Sequence, residues 1–255
     1  MILLLGGTAE TGALAGALSA AGYRVLVSTA TEIPLELADM AGVTRRSGPL
    51  DDQGMAQVIM EHGIRAVVDC THPYAERARA TARAAAEAAG IPYFTLIRPE
   101  GISDDGDVVF ADDHREAAAK AFSFGLPVLL TTGSRNLAPY VRASGETGVA
   151  LVVRVLPEDT SLKACAAAGI LPRNVVTGRG PFSVEENRMV IREFGIGVLV
   201  TKDGGEAGGV REKVEAARAE GCRIVALRRP PRPARGVFES SRELLEAVKA
   251  KVLRE

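Results

Sequence analysis

The chain has 255 residues, 47% of them apolar and 25% charged, with a formal net charge of −1. That length can bury one large core or two smaller ones, and the balance is that of an ordinary globular chain. A near-neutral surface carries no global field for nucleic acid, aromatics are only 4%, and no apolar run approaches the roughly 18 residues of a membrane span.

Short apolar runs rich in Val, Ile and Leu alternate with alanine-rich amphipathic stretches. Strands are expected at 2–5, 24–28, 66–70, 93–97, 108–110, 128–132, 150–155, 175–177, 198–201 and 223–227. Helices are expected at 11–21, 51–62, 75–89, 114–124, 184–194 and 209–220, several closed by a glycine such as Gly22, Gly63, Gly90, Gly195 or Gly221. The strands lack clean alternation, as strands covered on both faces do. Strand–helix alternation of this kind predicts an α/β protein with parallel sheets. Ten strands are many for one open sheet, and the polar segment 98–107 ("RPEGISDDGD") reads as a break. Two Rossmann-like parallel-sheet domains are therefore expected, 1–107 and 108–255, with a ligand cleft between their strand ends. "RRPPRPARG" at 228–236 is a proline-rich loop before a last helix at 240–253.

The first strand runs into "GGTAETG" at 6–12. Gly7 and Gly12 fit two positions of a dinucleotide fingerprint, with Ala9 in the middle one. A strand before and a helix after would aim backbone N–H groups and the helix dipole at an anion. A plain turn capped by Thr8 or Thr11 reads the same way. The second strand ends in Ser28 and Thr29, where NAD-specific folds place an acid, and Arg45 and Arg46 are read as following the third strand. Hydroxyls and guanidinium groups suit a 2′-phosphate, which favours NADP over NAD.

Three further strand ends carry chemistry. In "VVDCTHPYA" (67–75), Pro73 suits a first helical turn capped by Thr71 or His72, and His72 would sit over the crevice. In "TGRGPFS" (177–183), Arg179 stands between Gly178 and Gly180, Pro181 opens a helix and Ser183 can cap it. "TKDGG" (201–205) brings Lys202, and "TTGSRN" (131–136) brings Ser134 and Arg135. A cationic crevice of this kind expects a ligand with several carboxylates or phosphates. No metal is expected, because His62, His72 and His114 are not clustered with cysteines. Cys70, Cys165 and Cys222 have no paired spacing and read as buried thiols of a reducing compartment.

Taken together, "LLLGGTAE", "DCTHPYA", "GRGPFS" and "VLVTKDGG", in this order and over nearly the whole chain, resemble the precorrin-6A and cobalt-precorrin-6A reductases of cobalamin biosynthesis. The resemblance departs at Asp203, which directly precedes Gly204. It implies NADPH as cofactor and reduction of one double bond of a precorrin, a tetrapyrrole with many carboxylates. Gly6, Gly7, Thr8, Glu10, Ser28, Thr29 and Thr71 would then hold the cofactor. Ser134, Arg135, Arg179, Gly180 and Lys202 would bind the substrate, and His72 and Lys202 would act as electrostatic or proton-transfer groups. A cytoplasmic monomer or small homo-oligomer, with no nucleic-acid or membrane partner, completes the expectation. A NADP sensor without turnover is the alternative. A short-chain reductase is disfavoured, since none of Tyr23, Tyr74, Tyr93 and Tyr140 has a lysine four residues on.

Overall fold

The computed structural model describes residues 1–8, 10–32, 37, 40–97, 99–102, 106–205, 209–231 and 235–253. Two compact units form, one from Met1–Arg98 with Pro230–Glu255, the other from Pro99–Arg229. The first contains β1 (Ile2–Leu5), α1 (Glu10–Ala20), β2 (Val25–Thr29), β3 (Val43–Ser47), α2 (Asp52–Glu61), β4 (Ala66–Asp69), α3 (Glu76–Ala88) and β5 (Tyr93–Leu96). The second contains β6 (Val108–Ala111), α4 (His114–Ser123), β7 (Val128–Leu130), α5 (Ala138–Thr147), β8 (Leu151–Val155), α6 (Asp159–Ala167), β9 (Val175–Thr177), α7 (Val184–Glu193), β10 (Val198–Lys202), α8 (Val210–Ala219) and β11 (Arg223–Leu227). The chain then returns to the first unit with β12 (Val237–Phe238) and α9 (Ser241–Lys251).

Each unit is a doubly wound parallel sheet. The first has the order β12-β5-β4-β1-β2-β3 and the second β6-β11-β10-β7-β8-β9. Both contain the 3-2-1-4-5 winding of a dinucleotide-binding fold, with its switch between β1 and β4 or between β7 and β10. The sixth position is exchanged: β6 follows β5 in the chain but pairs with β11, and β12 follows β11 but pairs with β5.

The expected second domain, 108–255, is therefore corrected at its end. Leu244, Val248 and Val252 of the C-terminal segment enter the same core as Ile2, Leu4, Leu14 and Leu18. Tyr23 also donates its hydroxyl hydrogen to the Val252 carbonyl at 3.0 Å. Burying that apolar stripe against the first sheet outweighs nearness in sequence to β11. The expected break does fall within 98–107, but Ile102 already packs in the second unit's core. The proline-rich crossing is described only in part, since 232–234 lie outside the described residues, as do Ala9 of the glycine loop and Arg98 and 103–105 of the break.

β1 is buried on both faces: Ile2 and Leu4 meet α1 and α9, while Leu3 and Leu5 pack with Met55, Val58 and Ile59 of α2 and Ala82 and Ala86 of α3. In the second unit Leu129, Val152, Leu199 and Ile224 pack against Ile191 of α7 and Val210 and Val214 of α8. Strands β3 and β12 and helices α5 and α6 were not expected. β3 reads VTRRS, a polar edge strand, and β12 has only two residues, so neither carries a strand-like apolar run.

Candidate active site

In doubly wound sheets, ligands bind outside the carboxyl ends of the strands near the switch point. In the first unit this places Gly6, Gly7 and Thr8 beside Asp69–Thr71, since Leu5 is level with Asp69. The two loops are tied together. Cys70 donates its N–H to the Leu5 carbonyl at 3.0 Å, and Thr8 donates its hydroxyl hydrogen to the Cys70 carbonyl at 2.9 Å. Burial pushes the Cys70 thiol up to about 11, which keeps it protonated and inert.

The glycine loop differs from its expected role in one respect. The N–H groups of Gly7 and Thr8 both point to the Thr11 hydroxyl, at 3.1 Å each, rather than outward. A side chain on Gly6 would collide with Thr11 Cγ2, so glycine lets the loop close on the helix. Gly7 has φ +104°, and a side chain there would face open space. Its exposed backbone leaves that face of the loop open to a ligand. Glu10 begins α1, where a carboxylate suits the positive helix end and would compete with an anion.

The hydroxyls of β2 and the arginines of β3 come together. Arg45 and Arg46 lie within β3, not after it, with Arg45 level with Val27 and Arg46 level with Ser28. Arg46 Nη1 donates to Ser28 Oγ at 2.7 Å and to the Gly48 carbonyl at 3.0 Å, and Nη2 donates to the Ser47 carbonyl at 3.0 Å. Arg45 Nη2 donates to Thr29 Oγ1 at 3.1 Å. Burial lowers the Arg46 guanidinium below its ordinary value, the mark of a cation partly stripped of water.

"THPYA" is a loop rather than a helix start. α3 begins at Glu76, and Ala75 at its N-cap makes no side-chain cap, so Pro73 precedes the first turn. Thr71 does not cap α3. Its N–H (2.9 Å) and hydroxyl (2.6 Å) both donate to Asp69 Oδ1. Asp69 Oδ2 accepts from Arg79 Nε at 2.9 Å and from the Tyr93 hydroxyl at 2.8 Å. Asp69 is fully buried, so these four donors replace its hydration. His72 is half-buried, 5.6 Å from the Tyr74 ring, and its Nδ1 accepts the Tyr74 N–H at 3.4 Å.

In the second unit the switch brings Ser134 and Arg135, after β7, beside Lys202 at the end of β10. Burial, then the Arg135 charge, lowers the Lys202 ammonium from its ordinary value. Ser134 donates to Ser161 Oγ at 3.3 Å. His114, at the start of α4, is lowered by burial and then by Lys202. Its Nε2 lies 3.0 Å from Asn136 Nδ2 and its Nδ1 2.9 Å from the Tyr140 hydroxyl. An amide donor at Nε2 assigns the proton of a neutral ring to Nδ1.

Arg179 is 52% exposed and pairs with Glu158 at 3.5 Å. Gly178 must be glycine for a different reason: a side chain there would strike the Phe182 ring. Pro181 stands two residues before the N-cap, and Ser183 caps α7 in a reciprocal box with Glu186, as expected of that serine. Asp203, the point of departure in its motif, turns inward. It accepts from the N–H groups of Gly101 (3.1 Å) and Gly205 (3.0 Å) and pairs with Arg229 at 2.9 Å, which pins the loop carrying Lys202.

The family described as "Precorrin-6x reductase CbiJ/CobK" matches residues 1–249. The chain belongs to the precorrin-6x reductase family. Among curated relatives, a cobalt-precorrin-6A reductase of Priestia megaterium is 33% identical over 97% of this chain and 98% of its own length. A precorrin-6A reductase of Rhodococcus erythropolis is 33% identical over 91% and 90%. A solved structure titled "CobK precorrin-6A reductase" superposes with a TM-score of 0.78 at 26% identity, covering 98% of this chain and 96% of that one. As a precorrin-6x reductase the chain is an oxidoreductase of cobalamin biosynthesis.

Several side-chain pairings of this reductase were not seen in the sequence. Asp69 with Arg79 and Tyr93 looks like one strand end and two unrelated positions until the sheet joins β4 to β5. His114 and Tyr140 meet only because α4 packs on α5. Arg154, buried in a strand against Asn187 and the Phe182 ring, sits at a position whose pattern gives no hint of either contact.

Proposed function

We propose that this chain reduces one double bond of precorrin-6A, or of its cobalt-bearing form, with NADPH, giving the 6B macrocycle. The observation that carries the reaction is the precorrin-6x reductase match over residues 1–249. The cofactor choice is supported by the Ser28, Thr29, Arg45 and Arg46 cluster, a donor set suited to a 2′-phosphate where an acid would favour NAD. The open face at Gly6, Gly7 and Thr8, with Thr71 beside it, suits the rest of the dinucleotide. Glu10 is the poorest member of the expected cofactor set, because its charge opposes a phosphate's.

When bound, NADPH supplies the hydride. The residues of the second unit then have two tasks. Arg135, Lys202 and Arg179, with Ser134 and the backbone of Gly180, bind macrocycle carboxylates by charge-assisted hydrogen bonds. Lys202, partly desolvated, also stabilises electron density reaching the conjugated ring system, and a proton joins the neighbouring atom to complete the addition. His72 is the corresponding proton-transfer group of the first unit.

The test is turnover with metal-free and cobalt-bearing precorrin-6A and each nicotinamide cofactor. Loss of NADPH absorbance, with a product heavier by one hydrogen pair, is expected. NADPH binding without oxidation by either macrocycle would refute the reaction, and equal use of NADH would refute the cofactor choice.

A further inference from the structure

Between β7 and α5 the chain runs through a loop, residues 131–137, that leans on side chains for its shape. Thr131 donates both its N–H and its hydroxyl hydrogen to the Val200 carbonyl of β10, at 2.9 Å each. Gly133 then turns the chain with φ +87°. Among the described residues, no main-chain N–H of residues 132–136 donates to a main-chain carbonyl. Ser134 is tied instead to Ser161 of α6 at 3.3 Å, and Asn136 to His114 of α4 at 3.0 Å. Arg135 stands between these two ties. It is exposed, and among the described residues no carboxylate pairs with it.

The His114 tie is itself anchored. The ring is half-buried at the start of α4, and its Nδ1 lies 2.9 Å from the Tyr140 hydroxyl. The two rings meet edge to face, with centroids 5.8 Å apart and an interplanar angle of 83°. Tyr140 is fully buried in the first turn of α5, so the imidazole stands in for water at its hydroxyl. One ring nitrogen is therefore engaged by a buried anchor and the other by an exposed amide. A neutral hydrogen bond is weak beside a whole fold, yet it biases a surface loop among its arrangements by about three- to tenfold.

We infer that His114 is a positioning residue: anchored on Tyr140, it fixes Asn136 and so holds Arg135 in the arrangement that receives a macrocycle carboxylate. The identity of that carboxylate rests on the function proposed above. A guanidinium whose loop is already set loses less freedom when it binds, so the tie acts on affinity. His114, engaged at both nitrogens, acts through Arg135 and touches no ligand itself.

The test is a double-mutant cycle. Asn136→Ala removes the tie at an exposed position and leaves the His114–Tyr140 contact in place. His114→Phe keeps a ring against Tyr140 and removes both hydrogen bonds; because it also orphans the Tyr140 hydroxyl, Asn136→Ala decides where the two differ. Each is made with and without Arg135→Ala. Uroporphyrin, a polycarboxylate macrocycle, and NADPH are titrated separately by fluorescence. Uroporphyrin affinity is expected to fall about three- to tenfold in Asn136→Ala and in His114→Phe. With Arg135→Ala already present, neither should lower it further, and NADPH affinity should keep its wild-type value throughout. In turnover the loss should appear in the Michaelis constant for precorrin-6A and leave kcat unchanged. Wild-type uroporphyrin affinity in Asn136→Ala would overturn the inference, as would equal losses with and without Arg135. A wild type that binds uroporphyrin but oxidises NADPH with neither precorrin form would refute the reaction and leave the affinity ratios to judge His114. A wild type that turns over while those ratios stay at one would refute the positioning alone, and one that binds no macrocycle would overturn both.

Discussion

Replacing Arg46 by alanine should separate the two nicotinamide cofactors. Its guanidinium is held by Ser28 Oγ at 2.7 Å and by the carbonyls of Gly48 and Ser47 at 3.0 Å each, so it is positioned before any ligand arrives. Little side-chain freedom is left to lose on binding. A hydrogen bond between charged groups contributes about 1.5–3 kcal/mol. Arg46 keeps contact with solvent, so the lower half of that range applies, about 1.5–2 kcal/mol. At about 1.4 kcal/mol per factor of ten, NADPH affinity should fall roughly ten- to thirtyfold. NADH carries no 2′-phosphate and should be unaffected. Fluorescence titration of both cofactors, with melting curves as a control for folding, measures the difference. Equal losses for NADPH and NADH, or none for either, would show that β3 does not read the 2′-phosphate.

Asp69→Asn should destabilise the protein by about 2–4 kcal/mol, because Arg79 and the Tyr93 hydroxyl lose a buried charged acceptor while Thr71 keeps one; an unchanged melting temperature in calorimetry would dismiss the network. Arg179→Ala should leave stability within about 0.5 kcal/mol, since its pair with Glu158 is exposed, and should raise the Michaelis constant for the macrocycle about three- to tenfold. Steady-state kinetics check it, and wild-type values for the macrocycle would show Arg179 to be a solvated loop charge. Lys213 fixes the sign of a pH effect: its folded value of about 8 lies below the roughly 10.4 of an unfolded lysine, so between these values the unfolded chain binds more protons and stability rises with pH. Cys70 and Cys222 oppose it, being raised to about 11 from roughly 8.5, so their contribution is lost as pH rises through that window. The difference between wild type and Lys213→Gln, from denaturant melts at pH 7 to 10, isolates the lysine; a flat difference would contradict the burial of its ammonium.

Much of this was legible in the residues themselves. Local apolar runs and glycine stops reported ten of the strands and most of the helices, because burial on both faces of a parallel sheet demands continuous Val, Ile and Leu. Strand-end motifs reported which loops carry polar side chains, because loops at strand ends are the segments free to carry them. Ser28 and Thr29 were found with their arginines, although Arg45 and Arg46 proved to belong to a polar edge strand that carries no apolar signal.

Only tertiary structure decided the rest. The exchange of β6 and β12 between the two sheets depends on which core accepts the stripe of Leu244, Val248 and Val252, and local sequence does not encode that choice. Thr11 drawing in the Gly7 and Thr8 N–H groups, and Asp69 ordering the Thr71 loop instead of leaving Thr71 to cap a helix, are hydrogen bonds chosen among several partners that each motif offers. Arg135 and Lys202, 67 positions apart in sequence, share one field only because β7 and β10 pair side by side in the second sheet. Electrostatic energy depends on distance and burial, quantities that exist only after the chain has folded.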